Sequence, residues 1–446
     1  MEKHLDQVNV SDVIDSSSLS RYQMMTIILC GVVVVLDGFD TQTIGFLAPA
    51  IADSFGVPIK SFAAVFSAGL FGMMLGALTL GPVADRWGRR WTVIVATLLF
   101  GLFSMLTPLA TSMEQLVALR FLTGLGLGGA MPNLVSLATE YAPKRQQAML
   151  VAWLFAGIPI GAVVGGLISA VLLPLWGWQS VFYVGGILPL SVTLLLIIHL
   201  PESVRFLIAR GGDPQKIARI VTRIAPSMPI GPSTHFVSTS PTLKGLPMRH
   251  LFTEGRALGT VLLWIPYFMN LLLIYFVVSW LPAVLRQVNM PISAGVTAIT
   301  LFSIGGAIGC LVTGRLLGTF GTRGVVFIEF CSAMILICAL AFSPGSFWLI
   351  MTVVGLLGFV VQGAQSCMNA LVAAFYPTAI RSTGVGWALG VGRLGSIVGP
   401  LLGGLLLSLE WSAHEIFLAA AVPALCAAAA IGISLLRGPA IVAASS

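Results

Sequence analysis

The sequence predicts an all-α membrane protein with twelve transmembrane helices in two pseudo-symmetric six-helix halves. Of the 446 residues, 57% are hydrophobic and only 9% are charged, whereas about 25% of the residues in soluble proteins are charged. Apolar runs of about 20 residues, each long enough to cross the bilayer, recur along the whole chain. Sequence motifs in the first half of the chain return in the second half. The spans are expected to be helical, because a lipid-exposed backbone must satisfy its own hydrogen bonds.

The apolar runs are separated by short loops and by one long interruption. They cover residues 23–50, 61–82, 91–110, 115–139, 147–172, 179–199, 257–285, 293–316, 324–342, 347–374, 382–408 and 413–436. We divide the chain into an N-terminal tail (1–22), an N-terminal half (23–199), a linker (200–256), a C-terminal half (257–436) and a C-terminal tail (437–446). The linker is expected to hold one or two short interfacial helices up to Ile224, followed by a loose segment.

The positions of the cationic residues predict the orientation of the chain. With an even number of spans, both termini and the linker share one side, and 19 of the 23 Lys and Arg residues fall there. Lys60 and Arg286 lie in loops on the other side, and Arg120 and Arg393 lie within spans. Cationic loops mark the cytoplasmic side. We therefore expect both termini in the cytoplasm, and the net charge of +7 is no indication of nucleic-acid binding.

Two motifs repeat between the halves. The segment Gly81-Pro-Val-Ala-Asp85-Arg-Trp-Gly88-Arg89-Arg90 follows the second span, and Gly314-Arg-Leu-Leu-Gly-Thr-Phe-Gly321-Thr-Arg323 follows the eighth span 233 residues later. A second repeat relates the segment that begins at Tyr141 to the one that begins at Tyr376. Such a repeat predicts two similar halves around a central cavity, the arrangement used for alternating access.

Two aspartates, Asp37 and Asp40, interrupt the first apolar run. A charge inside the membrane is costly and usually functional, and a spacing of three places both carboxyls on one helical face. They are our candidates for proton coupling, because burial lets a carboxyl gain and lose a proton near physiological pH. The alternative is that one aspartate only forms a structural ion pair.

Polar residues also share a helical face in the second half. Gln362, Gln365 and Asn369 do so in the tenth span, and Tyr267 and Asn270 do so in the seventh. Such faces can line a cavity or bond across helices. The aromatic residues Phe39, Trp264 and Trp387 could wall a flat apolar slot, although most aromatic residues in such chains pack or anchor at the interface.

The sequence contains no pattern expected of an enzyme or a metal site. The six cysteines (Cys30, Cys310, Cys331, Cys338, Cys367 and Cys426) include no Cys-x-x-Cys pair, and the five histidines lie in loops, at span ends or in the tail. The glycine-rich run 124–129 is expected to pack helices closely, since no strand precedes it and no Lys follows. We expect no cofactor and no metal.

Over essentially its full length the sequence resembles the major facilitator superfamily. The segment 81–90 matches the signature between the second and third spans, and Arg120-Phe-Leu-Thr-Gly124-Leu-Gly126-Leu-Gly128 resembles the span-four motif. Three further segments resemble the aromatic acid:proton symporters of that superfamily: Asp37-Gly-Phe-Asp40, Ser279-Trp-Leu-Pro282, and the stretch from Tyr376 to Trp387 that continues to Gly392-Arg393. Two departures are Gly318, where the first copy of the signature has Asp85, and Ala162, where drug exporters have proline.

The resemblance implies a bacterial inner-membrane symporter that imports an aromatic carboxylate, such as benzoate, 4-hydroxybenzoate or protocatechuate, together with protons. Arg393 would bind the carboxylate, since a guanidinium matches it bidentately, or would pair permanently with Asp37, Asp40 or Glu329. Phe39, Tyr267, Asn270, Gln362, Gln365, Asn369 and Trp387 are the other substrate-binding candidates.

The resemblance also suggests proton transfer or gating for Arg120, with structural pairing as the alternative, and we expect Glu329 to be a solvated or interfacial charge. Gly81, Asp85, Arg89, Arg90 and Arg145 would form a cytoplasmic latch that breaks when the halves rock. A monomer would suffice for this cycle. The rival functions are a carrier of another organic acid such as muconate, an exporter, and a membrane sensor for aromatic acids.

Overall fold

The computed structural model describes residues 7–17, 19–226, 234–237, 248–253, 255–342, 346–376 and 380–436. This part of the chain is almost entirely helical. Its helices are α1 (Val10–Ser16), α2 (Arg21–Phe55), α3 (Phe62–Trp87), α4 (Arg89–Leu106), α5 (Met113–Glu140), α6 (Lys144–His199), α7 (Val204–Ala209), α8 (Pro214–Ile224), α9 (Ala257–Gln287), α10 (Ile292–Ala341), α11 (Phe347–Phe375), α12 (Arg381–Ser408) and α13 (Ala413–Leu436).

Within the described residues, eleven helical segments are long and apolar enough to cross a membrane. One of them, α6, has 56 residues and would be about 84 Å long if straight, far more than a bilayer of about 30 Å. Its backbone breaks at Gly177, where φ is 74° and ψ is 175°. Counted on either side of this break, α6 supplies two spans. The predicted twelve-helix membrane fold is therefore confirmed, with α2 as the first span and α13 as the twelfth.

The two copies of the repeated signature end in the same backbone turn. Gly88 separates α3 from α4 with a φ of 102°, and Gly321 breaks α10 with a φ of 68°. Only glycine adopts these positive φ values without strain. Gly321 divides α10 into an eighth span, Ile292–Thr313, and a ninth span, Gly321–Ala341. The side chains of residues 314–320, the segment that contains Gly318, lie outside the described part.

Glycines hold the helices of the first six spans in close contact. A Cβ at Gly124 would overlap the carbonyl oxygen of Gly69 in α3, and one at Gly128 would overlap that of Met73. The run 124–129 thus packs α5 against its neighbours, as the sequence predicts. The absence of side chains here lets backbones approach closely, the usual route to tight association inside a membrane.

The linker and the N-terminal tail form a small layer on one face of the bundle, which we call the linker side. The two predicted interfacial helices are α7 and α8. A parallel pair of three-residue strands, β1 (Gln7–Asn9) and β2 (His235–Val237), was not predicted. Lys144 pairs with Asp15 of α1 at 2.8 Å; burial raises the pKa of Asp15, but its hydrogen bonds to Lys144 and the charge of that lysine outweigh this and lower it. The loose segment predicted after Ile224 lies largely outside the described residues.

The first six and last six spans meet on the side of the bundle opposite the linker. Both α2 and α9 begin on the linker side, so their final turns lie at the far side. Four contacts join the two sets of spans there: Arg286 with Asp53 at 2.8 Å, Ser303 with Gln42 at 3.3 Å, Ser67 with the Ile397 carbonyl at 3.3 Å, and Trp280 with Phe66 at a ring separation of 5.3 Å. This side is closed by direct packing.

Candidate functional site

Asp40 and Arg120 form an ion pair inside the first six spans. The Arg120 Nη1 lies 3.1 Å from Asp40 Oδ2, and the two side chains are 4% and 3% exposed. Ser104 donates a 2.6 Å hydrogen bond to the other oxygen of Asp40. The Arg120 Nη2 donates to the hydroxyls of Thr107 and Thr123, at 2.7 and 3.1 Å. The sequence left open a structural pairing for Arg120, and the structure shows this pairing, with Asp40 as the partner.

The guanidinium of Arg120 also lies 5.0 Å from the ring centroid of Phe182 in α6. A cation over an aromatic face is stabilised further when it is desolvated. Asp40, Arg120 and Thr41 line a cavity of about 40 Å³ between α2, α3 and α5. This volume is sufficient for at least one water molecule, which needs about 10–15 Å³. The polar side chains that line the cavity are Asp40, Thr41, Arg120 and Thr123.

Asp37 lies one helical turn from Asp40 and has a different environment. Its side chain is buried, and its Oδ1 accepts a 3.0 Å hydrogen bond from Thr41. It interacts electrostatically with Arg393 of α12 and with Asp40. Asp40 is thus paired with Arg120 within the first six spans, whereas Asp37 interacts with Arg393, which belongs to the last six spans.

Arg393 lies in the interior part of α12, between α2 and α9. Within the described residues its guanidinium makes no direct ion pair or hydrogen bond, although it interacts electrostatically with Asp37 and Tyr267. Its side chain is partly exposed. Gly392 lets α12 pack closely against Tyr267 of α9, because a Cβ at this position would overlap the tyrosine ring. The permanent pairing of Arg393 with Asp40 or Glu329 that the sequence left open is not found in this structure.

A polar wall joins α9 to α11 beside Arg393. Tyr267 donates a hydrogen bond to Asn369. Asn270 donates to Gln365 at 2.9 Å and to the Val361 carbonyl at 3.2 Å, while its own side-chain oxygen is buried without a partner. The two predicted polar faces therefore meet each other. They supply hydrogen-bonding groups next to an arginine with no direct partner.

Gln362 and Glu329 belong to a separate buried cluster. The amide nitrogen of Gln362 has no partner, and this side chain packs against Gly306 of α10. Glu329 is 5% exposed. The expectation that it is a solvated or interfacial charge is wrong, because α11 covers it at Gly363. Distance from the span end predicted exposure, whereas packing against the neighbouring helix decides burial.

The aromatic candidates divide into one core residue and one stacked pair. Phe39 is 2% exposed and packs against Gly165 and Gly185 of α6, so it has a packing role in this conformation. Trp264 and Trp387 stack with ring centroids 6.1 Å apart and an interplanar angle of 19°. Trp387 is 42% exposed, and both lie closer to the linker side than Arg393 does.

The residues proposed as a latch are found on the linker side in other pairings. Arg89 forms an ion pair with Glu140, and Glu140 also accepts a hydrogen bond from Ser203. Glu202 caps the start of α4 by accepting from the backbone N–H groups of residues 89 and 90, at 2.8 and 3.1 Å. Sequence reasoning missed both glutamates, since only the fold brings the end of α5 and the linker beside the start of α4.

The remaining latch residues make weaker contacts. Arg90 donates to the Ile197 carbonyl at 2.6 Å. Asp85 and Arg145 are exposed, and the described residues show no ion pair between them. A Cβ at Gly81 would meet no heavy atom within 4 Å. In this conformation Asp85 interacts with Arg89 electrostatically, without a direct bond.

Comparison with known proteins identifies the family. The profile of the Major Facilitator Superfamily matches residues 30–364 and 297–444. The chain is 39% identical to the 4-hydroxybenzoate transporter PcaK of Pseudomonas aeruginosa, over 97% of this chain and 96% of that protein. It is 39% identical to a gallate transporter of Pseudomonas putida, over 95% and 94% of the two chains. It is 33% identical to a benzoate transport protein of Acinetobacter baylyi, over 94% and 91%. The chain therefore belongs to the major facilitator superfamily, as a multi-pass membrane transporter of the same family as these proteins.

Proposed function

We propose that this protein imports aromatic carboxylates together with protons across the bacterial inner membrane. The single observation that supports the proposal is the position of Arg393 between the first and last six spans and beside a polar wall, as a cation with no direct partner among the described residues. Relatives named for 4-hydroxybenzoate, gallate and benzoate support the substrate class.

The carboxylate binds to Arg393. A guanidinium offers a planar pair of N–H donors that fits a carboxylate, and such charge-assisted bonds are about twice as strong as neutral ones. A substrate anion would also offset the charge of Arg393 in a partly desolvated site. Ring hydroxyls of the substrate are bonded by the wall formed by Tyr267, Asn270, Gln365 and Asn369, where the Asn270 oxygen has no partner.

Protons enter through the first span. Asp40 is held by Arg120 and Ser104, next to a cavity large enough for water. Asp37 lies one turn away and interacts electrostatically with Arg393. Neutralising Asp37 therefore removes a negative charge that competes with the substrate for that arginine. This competition couples proton binding to anion binding without direct contact between the two ligands.

The linker side faces the cytoplasm, as the distribution of Lys and Arg indicates. The closed side then faces outward, and the conformation is sealed against the outside. The two six-helix halves are the moving units, and the latch of Asp85, Arg89, Arg90 and Arg145 forms when they close on the cytoplasmic side. One monomer contains both halves and is sufficient for this cycle.

The energetics favour coupling to protons. An inside-negative potential opposes entry of a monovalent anion by about 2.3 kcal/mol per 100 mV. One co-transported proton cancels this electrical term, so that the pH gradient drives uptake. A second proton would give the transported complex a net positive charge and add an electrical driving force.

Uptake of labelled 4-hydroxybenzoate into proteoliposomes tests the proposal. An inward proton gradient should drive accumulation, a protonophore should abolish it, and unlabelled benzoate, gallate or protocatechuate should compete. Competition by muconate instead of the aromatic acids would point to another organic acid as the cargo. Absence of gradient-driven uptake by folded protein would refute the proposal.

A further inference from the structure

A further buried carboxyl, Glu329, lies inside the last six spans and has no part in the cycle described above. It belongs to the ninth span, the part of α10 after Gly321. The side chain is 5% exposed, and within the part of the chain that the structure describes neither of its oxygens has a hydrogen-bond partner. Among the described residues no Lys, Arg or His side chain pairs with it. An ionised carboxylate in such a place carries a large desolvation penalty, so Glu329 holds a proton in this conformation.

The surroundings of Glu329 are polar but supply no positive charge. The Oε1 atom of Glu329 lies so close to Gly363 of α11 that a Cβ at Gly363 would overlap it. Thr313 of the eighth span contacts the same glycine. The hydroxyl of Thr313 donates its hydrogen bond to the Gly309 carbonyl at 2.8 Å. Two titratable groups face the carboxyl, the thiols of Cys310 and Cys367.

Helix α13 also packs against α10, and a charged group of the ninth span bonds to it. Arg323, near the start of that span, donates a hydrogen bond to the Ser434 carbonyl of α13 at 3.4 Å. Glu329 is therefore bordered by the eighth and tenth spans, with two neutral thiols as its titratable neighbours. Nothing in these described contacts compensates a negative charge.

The internal repeat indicates that helix packing does not require this carboxyl. Gly88 and Gly321 set a repeat offset of 233 residues. With this offset, Ala96 of α4 is the residue equivalent to Glu329. Ala96 is also fully buried, and its backbone carbonyl oxygen packs against Gly126 of α5. The equivalent buried position in the first six spans is thus filled by a residue whose side chain is only a methyl group. An acid that is costly to bury and unnecessary for packing is expected to serve a function.

The carboxyl is also close to the linker side. It lies eight residues after Gly321, a rise of about 12 Å along the helix. Cys310, which interacts with Glu329, donates its thiol proton to the backbone carbonyl of Gln362 at 3.4 Å. Glu329 thus lies in the half of the ninth span, Gly321–Ala341, that is nearer the linker side.

We propose that Glu329 is a second proton-binding site of this transporter, which loads and releases one proton per cycle from the last six spans. This proposal rests on the proposed function, because a second proton is meaningful only where the first is coupled to import. With one proton at the first span and one at Glu329, a monovalent anion crosses as a complex of net charge +1. Import is then driven by the membrane potential as well as by the pH gradient.

The test is uptake of labelled 4-hydroxybenzoate into proteoliposomes under a potassium diffusion potential, inside negative, with no pH gradient. Wild-type protein should accumulate substrate above the outside concentration. E329Q, which keeps the shape of a protonated acid, should reach an accumulation ratio of about one under the potential alone. E329Q should still accumulate substrate under a pH gradient. E415Q removes an exposed glutamate at the start of α13 and should behave like the wild type.

Each result decides between the alternatives. Potential-driven accumulation by E329Q equal to that of the wild type would overturn the proposal, since Glu329 would be only a packed acid. Wild-type uptake that responds to the pH gradient but not to the potential would also overturn it. If folded wild-type protein shows no proton-driven uptake at all, the proposed function itself is refuted.

A spectroscopic measurement applies if E329Q does not fold. Infrared difference spectra of wild type and Glu329→Asp, with and without substrate, report protonated carboxyl groups directly. A carboxylic-acid band that changes on substrate binding and shifts in frequency in Glu329→Asp would support the second site. Spectra in which no band shifts between the two proteins would overturn it.

Discussion

Replacing Asp40 by Asn would leave the Arg120 guanidinium inside the bundle without its carboxylate. The 3.1 Å separation corresponds to an attraction of about 5 kcal/mol at an effective dielectric constant of about 20. Removing one partner of a buried pair costs about 3–5 kcal/mol, because the remaining charge stays desolvated. Arg120 keeps its bonds to Thr107 and Thr123, so we expect Asp40→Asn to lower the free energy of unfolding by about 3 kcal/mol.

The double variant Asp40→Asn with Arg120→Gln removes both charges together. Its loss of stability should be smaller than the sum of the single losses by about 2 kcal/mol, as expected for residues in direct contact. Unfolding of the purified proteins in mixed micelles of increasing SDS content measures these differences. The double variant should fold yet fail to accumulate substrate under a proton gradient, because it lacks Asp40, one of the two carboxyls proposed for proton coupling.

A matched control is Arg286→Gln, which breaks the ion pair with Asp53 on the closed side. Those side chains are 46% and 53% exposed, so the loss should be below about 1 kcal/mol. Strictly additive losses in the double variant would refute the coupling of Asp40 to Arg120. Full proton-driven accumulation by Asp40→Asn would show that Asp40 has no part in proton transfer.

Three further changes test the packing and the closed side. Cysteines at Gln42 and Ser303, joined by a short thiol cross-linker in a background without the native cysteines, should reduce uptake to background; unchanged uptake would show that this contact does not open. Glu202→Gln should lower the free energy of unfolding by about 0.5–1 kcal/mol, because a charge is lost at the start of α4; SDS unfolding measures this, and an unchanged midpoint would contradict it. Gly124→Val should prevent accumulation of folded protein, whereas Gly390→Ala, whose Cβ would meet no heavy atom within 4 Å, should fold normally in size-exclusion profiles.

The membrane fold could be predicted from the sequence because span length and hydropathy are local properties. The repeat also placed Gly88 and Gly321 at equivalent positions after the second and eighth spans, and both have positive φ in the structure. Boundaries depend on details that hydropathy does not resolve. The first span, α2, begins at Arg21, two residues before the apolar run, because Ser20 and Gln23 form a capping box.

Pairings across the bundle were much less predictable. Asp40 and Arg120 are 80 residues apart, and hydropathy contains no information on which helices adjoin. Glu329 illustrates the resulting error, since its exposure depends on Gly363 in another span. The sequence named Asp37, Asp40, Arg120 and Arg393 because intramembrane charges are rare, but it could not tell which of them pair.

The most direct test of the proposed substrate site is binding of 4-hydroxybenzoate to purified protein, with and without Arg393. We predict that Arg393→Ala raises the Kd by about 10- to 100-fold, the loss of a charge-assisted bond worth about 1.5–3 kcal/mol. The uncharged 4-hydroxybenzamide should bind weakly to both proteins, and the melting temperature should be unchanged, because no described ion pair is broken. An equal Kd for wild type and a folded Arg393→Ala variant would contradict the claim that Arg393 holds the substrate carboxylate.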